Sequence, residues 1–169
     1  MPQRMTRGKA LIGAIDLQTP MAVADLHETG IRYEQVTLTS AQIKALRATP
    51  ATLVNAPVAG KVLEFISIAL CLDYGTNGLT ETADNLAVRY TDGSGVIVSQ
   101  AIETTGFIDQ TADTATFGLA TIDPIAAKTG CDGKALVLHN TGDGEIAGNA
   151  ANDSVLRCKV VYRVHPAGW

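Results

Sequence analysis

Residues 134–165 read KALVLHNTGDGEIAGNAANDSVLRCKVVYRVH, and their reading decides the fold class. Two apolar runs flank a loop of Gly, Asn and Asp. In the second run Leu156, Cys158, Val160, Tyr162 and Val164 alternate with Arg157, Lys159, Val161 and Arg163. A period of two belongs to a strand with one buried and one wet face. The pattern predicts a closing antiparallel hairpin of a β-domain, and no catalytic constellation accompanies it.

The same grammar continues upstream. Residues 31–38 alternate, with Ile31, Tyr33 and Gln35 set against Arg32, Glu34 and Val36. Then LTSAQIKALRATP signals a helix over about 40–48: Thr39 as N-cap, Gln42 as its capping-box return, and Leu38 against Ile43 as a staple. Pro50 disfavours helix at Thr49. Residues 51–55 predict a short strand and 56–60 a turn. Residues 61–75, KVLEFISIALCLDYG, are apolar on both faces, which predicts a strand covered on both sides or one that bulges and changes sheets. Leu86, Val88 and Tyr90, the Asp92-Gly93 turn and 96–98 read as a hairpin. Ser99 is placed to cap a helical turn over 99–104. Residues 107–119 are rich in Thr and Asp with sparse apolar points, and 124–133 read as a connector. The chain is therefore expected to be mainly β. The expected architecture is an antiparallel β-sandwich or jelly-roll-like domain over residues 31–169, with one or two short helices and an N-terminal arm over residues 1–30.

Composition narrows the function classes. Apolar residues make up 46% of the 169, and charged residues only 18%, so the chain has a core to bury and is not of disordered type. Residues 73–123 hold eight acids (Asp73, Glu81, Asp84, Asp92, Glu103, Asp109, Asp113, Asp123) and one base, Arg89. Such an acidic body argues against a nucleic-acid groove, which is built from Lys and Arg. The tip of the arm is basic, with Arg4, Arg7 and Lys9. The N-terminus lacks the unbroken apolar stretch of a signal peptide, and no run approaches a membrane span. Cys71, Cys131 and Cys158 form no CxxC; Cys71 and Cys158 read as small core residues.

Other chemical candidates give way to structural readings. Asp25, His27 and Glu28 match no metal-ligand spacing. His139 alternates with the core positions of its strand, and His165 has no partner in sequence. The loops 92–95 and 142–145 are fragments of calcium loops without the full run of carboxylates, and turn chemistry accounts for both. No G-x-S-x-G elbow or P-loop occurs. No enzyme activity, metal or cofactor is expected.

One family resemblance carries a function. LTSAQIKALRATPATLVNAPVAGKVLEFISIALCLDYGT resembles the opening of small virion structural proteins of tailed bacteriophages, through Leu46, Pro50, Leu53, Val54, Ala56, Pro57, Gly60, Lys61, Tyr74 and Gly75. Val58 departs, where that family often has Gly. Gly148-Asn149-Ala150 and the strand ending Tyr162-Arg163-Val164 extend the similarity to residues 38–165. The resemblance implies a β-sandwich on the capsid surface of the virion, made in the host cytoplasm. It would be a decoration or cement protein, often a homotrimer, that binds the major capsid protein without nucleic acid or membrane. Residues 1–37 lie outside the resemblance. Within the arm, Leu11, Ile12, Ile15, Leu17 and Met21 form apolar patches, and with Trp169 they are the expected partner contacts. Competing readings are a head fibre, a tail or baseplate part, or a receptor-binding tip. A carbohydrate-binding module is a further alternative, though with eight aromatics, several on core faces, the chain is poor in sugar platforms.

Overall fold

The 156–164 stripe sits at the centre of the domain, and the rest is laid around it. The computed structural model describes residues 30–80, 85–122 and 126–168. Among these, the strands in chain order are β1 (Arg32–Leu38), β2 (Ala51–Val54), β3 (Lys61–Asp73), β4 (Asn85–Tyr90), β5 (Ile102–Glu103), β6 (Thr114–Leu119), β7 (Leu136–Asn140) and β8 (Val155–Pro166). Two short helices accompany them, α1 (Ser40–Lys44) and α2 (Lys128–Cys131).

The strands form two four-stranded antiparallel sheets, ordered β1-β8-β3-β6 and β2-β7-β4-β5. First pairs with last, second with seventh, third with sixth and fourth with fifth. The pairings β3–β8 and β4–β7 complete the sheets. One long hairpin rolled on itself has this connectivity, which is that of the eight-stranded jelly roll. The mainly β sandwich expected from the sequence is thus the fold, and the 31–38 and 51–55 strands and the 85–98 hairpin stand where they were read. In that hairpin Arg89 bridges Ile97.

The core lies between the sheets. From β8 come Leu156, Cys158, Val160, Tyr162 and Val164, and from β3 Leu63, Phe65, Ile68, Leu70 and Leu72, all buried. The second sheet supplies Leu86, Val88, Leu136 and Leu138. Tyr90 ties the two layers together, its phenol donating to the Leu63 carbonyl. The helix begins as its capping box requires: Thr39 Oγ1 accepts from Gln42 N–H, and Gln42 Oε1 accepts from Thr39 N–H at 2.9 Å. It is shorter than the sequence suggests, passing into turns after Lys44.

Several expectations are corrected. β3 is not covered on both sides and does not change sheets, although it bulges as the alternative reading expected. A bulge between Phe65 and Ser67 adds one residue and shifts the inward set from 63 and 65 to 68, 70 and 72. That shift makes a half-buried strand read as apolar on both faces. It also turns Cys71 outward, so only Cys158 of the two is a core residue. The two runs of 134–165 are strands but not a hairpin: β7 belongs to the second sheet and β8 to the first, joined by an arch. Residues 99–104 form no helix; Ile102 and Glu103 pair with β4. The Ser99 hydroxyl accepts from Val88 N–H at 2.8 Å instead of capping a turn. The second helix lies in the 124–133 connector. β6 was not anticipated.

Burial raises the Tyr90 phenol to about 12, with Cys131 and Glu64 adding to the effect. Removing its hydroxyl in Tyr90→Phe is expected to cost about 1 kcal/mol near neutral pH. A phenol with a raised folded pKa contributes fully below the unfolded value of ~10 and loses that contribution as pH rises toward the folded one. Urea titrations should therefore show the gap between wild type and Tyr90→Phe closing between pH 10 and about 12; a gap independent of pH would contradict the buried tie.

Candidate functional site

The sequence-predicted contact residues Leu11, Ile12, Ile15, Leu17, Met21 and Trp169 lie outside the described residues, as do Asp25, His27 and Glu28. His139 and His165 fall on opposite sides of the sandwich: His139 on the outer face of the second sheet, His165 on that of the first. No group of three or more His, Cys, Asp or Glu among the described residues is arranged to hold a metal. Carboxylates of the calcium-like loops are spent on backbone N–H groups, one within its own loop and one on a distant segment. Asp92 Oδ1 accepts from Ser94 N–H at 2.7 Å, and the Glu145 carboxylate accepts from Arg47 and Ala48 N–H at 3.0 and 2.8 Å.

The second sheet carries a roof over its outer face. Val137, His139 and Ala87 point outward from β7 and β4 yet are buried. Beside them, Arg47, Arg89, His139, Ser94 and Asp143 line a cleft of about 610 Å³. Arg89 Nη1 donates to the Gly93 and Gly95 carbonyls at 2.8 and 3.2 Å. Gly93 is needed because a Cβ there would lie 2.5 Å from His139 Nε2. Burial, then the Arg89 and Arg47 guanidiniums, hold the His139 pKa below its ordinary value. The imidazole is a neutral packing piece that clips two loops.

A second cavity, about 720 Å³, opens where β6 ends and β3 runs on beside α2. Val62, Phe65, Tyr90, Val98 and Cys131 make its wall apolar. At its rim His165 Nε2 lies 2.8 Å from Glu64 Oε2, with Arg163 Nη1 3.8 Å from the same oxygen. Cys131 Sγ turns toward the Ala127 and Lys128 carbonyls at 3.6 and 3.4 Å.

The outer face of the first sheet is different: it is partly apolar, and no described segment covers it. In register across four strands run Tyr33, Val161, Ser67 and Leu119, and beside them Gln35, Lys159, Ala69 and Phe117. Tyr33, Phe117 and Leu119 are 62%, 74% and 58% exposed. Lys159 Nζ sits 4.6 Å from the Tyr33 ring centroid. The source is β6, whose polarity is inverted. Thr114, Thr116 and Gly118 face the core, while Ala115, Phe117 and Leu119 face out. Gly118 suits this inward position, since a Cβ there would meet Ile102 Cδ1 at 2.6 Å and Ile68 Cγ2 at 3.0 Å. Sequence reasoning missed this face, although the alternation of 114–119 was its available signal.

Comparison with known proteins adds little. No protein-family model matches the chain, and no curated protein does. Among solved structures it is similar to a chain of the cryo-electron microscopy structure of Mud Crab Dicistrovirus, with 14% identity and a TM-score of 0.28, covering 98% of this chain and 81% of that one. A likeness at this level carries no argument about role.

A histidine with a depressed pKa stabilises the fold above its unfolded value of ~6.5 and loses that contribution as pH falls through the folded one. Ring-proton NMR should show His139 titrating below the ordinary histidine value of ~6.5, with the denaturation midpoint falling on acidification. His139→Gln should flatten the acid limb. A His139 that titrates at the ordinary value would contradict the packed clip.

Proposed function

We propose that the protein is a structural component of a tailed-phage virion, a decoration protein that sits on the outside of the head and bridges major capsid subunits. One observation supports this most. The two segments that carry the phage resemblance, one ending at Tyr74-Gly75 and one opening at Gly148-Asn149-Ala150, meet at a single corner of the fold. There Asp153 accepts from Thr76 and Asn77 N–H at 2.9 and 2.8 Å. Asn152 Oδ1 accepts from Asn149 N–H and its amide donates to the Gly78 carbonyl. In this chain the two segments that carry the resemblance are thus hydrogen-bonded to each other. Leu46, Leu53 and Val54, which also carry it, are core residues.

The physical logic suits such a role. Jelly rolls serve in viral capsids and also in lectins and cupins, so the fold alone does not choose. A decoration protein works by rigid contact repeated over a shell, and a modest interface per copy is multiplied by the number of copies. In this reading the arm, through Leu11, Ile12, Ile15, Leu17 and Met21, together with Trp169, reaches the shell. The copies associate as a homotrimer, and no cofactor is involved.

Purified protein added to undecorated heads and imaged by cryo-electron microscopy should give regular density at symmetry-related outer sites. Leu11→Asp with Ile15→Asp should lower occupancy at least ~10-fold while leaving the melting temperature unchanged. A bare shell would end the decoration reading and turn attention to fibre, tail or receptor-binding parts.

A further inference from the structure

The inverted strand β6 gives the first sheet an outer face that the fold itself does not use. Its centre is Tyr33, Val161, Phe117 and Leu119, continued by Ala69 and Ala115. With exposed aromatics worth roughly 150–250 Å² each when covered, the apolar area is on the order of 500 Å². That is near the upper end for a monomer's largest patch, and it fits the apolar centre of one partner's ~800 Å² share in a standard interface.

From this face we infer that it is the surface by which the protein binds a second copy of itself. The argument for a second copy lies in the rim. Along the strand direction the apolar band is bounded at one end by the pair Arg157–Asp73. At the other end stand Arg163, Glu64 and His165. Each end presents both signs, paired within the chain, so a second copy can approach the apolar band without facing a block of like charge at either end. Lys159, the cation within the band, is already drawn over the Tyr33 ring. An acidic or basic partner would find only half of this rim complementary. The apolar centre with a mixed polar rim is the anatomy of a protein–protein interface.

The proposed function already has the copies associate, and this inference adds the face by which they do so; it is tested without the virion, because its readout is mass in solution and not occupancy of a shell. Sedimentation velocity should show wild-type protein as a homo-oligomer whose population grows with concentration. Phe117→Asp and Leu119→Asp, both on the wet face, should keep the melting temperature and weaken association at least ~30-fold. Thr52→Asp, on an exposed position of the other sheet, should leave association unchanged. Cys71 lies in register with Arg157 and Ala115 on the same face and is exposed. Its alkylation, read by mass spectrometry, should slow as wild-type concentration rises, and should not slow in Phe117→Asp. Wild type that stays monomeric up to roughly 1 mM, the weak limit of specific association, would overturn the inference. So would an oligomer indifferent to both substitutions, or a Cys71 shielded equally at every concentration, which would mean that the chain's own residues cover the face.

Discussion

The pairing of β3 with β8 is the constraint on which the rest of the structure depends. These are the two longest strands, they lie side by side in the first sheet, and each contributes five buried side chains to the core. Their registers agree only because β3 carries one extra residue at the bulge. Without it, Leu63 and Phe65 would face the core while Ile68, Leu70 and Leu72 faced water, and a one-residue slip of that kind exchanges the two faces of a strand. The bulge lets a single strand keep its apolar stripe aligned with Leu156, Cys158, Val160, Tyr162 and Val164 along its whole length. The second sheet then packs on a stripe already fixed, with Tyr90 hydrogen-bonded to the Leu63 carbonyl next to the bulge.

The two outer faces of the sandwich have separate fates. Over the second sheet, loops fold back, Arg89 grips the 93–95 turn, and His139 is packed neutral beneath them. That face is finished within the chain. Over the first sheet no described segment folds back, and Tyr33 of β1 and Phe117 and Leu119 of β6 stand in water, with Val161 of β8 half-buried between them. Among the described residues one outer face of the sandwich is thus closed by loops and the other is left partly apolar.

Much of this was legible in the sequence wherever a local rule and the global fold agreed. The capping box at Thr39 and Gln42, the alternation of 156–164, and the Asp92-Gly93 turn each carry their own physical signal, and each formed. The misreadings came where partner choice lies outside the segment. Two alternating runs joined by a Gly- and Asn-rich loop look the same whether they pair with one another or arch between sheets. Cys71 read as core because a bulge moves every residue after it by one position. β6 was passed over because its apolar residues are those on the wet face, and a search for buried stripes discounts Thr, Thr and Gly on the other. The arm that the sequence singles out for partner contact is the part on which the described fold places no constraint.

The rolled-hairpin connectivity also sets a schedule for synthesis. Arg32 of β1 pairs with Tyr162 of β8, so the earliest strand to leave the ribosome finds its neighbour among the latest. At 5–20 residues per second the wait is roughly ten seconds. That is longer than the millisecond-to-second folding of comparable all-β domains. During that interval β1 and β3 are bare strand edges next to a half-built core, and the nascent chain must be kept from pairing with its neighbours on the same message. A cell with few free chaperones would therefore limit the yield of this protein through the order in which its strands appear, not through the stability of the finished domain.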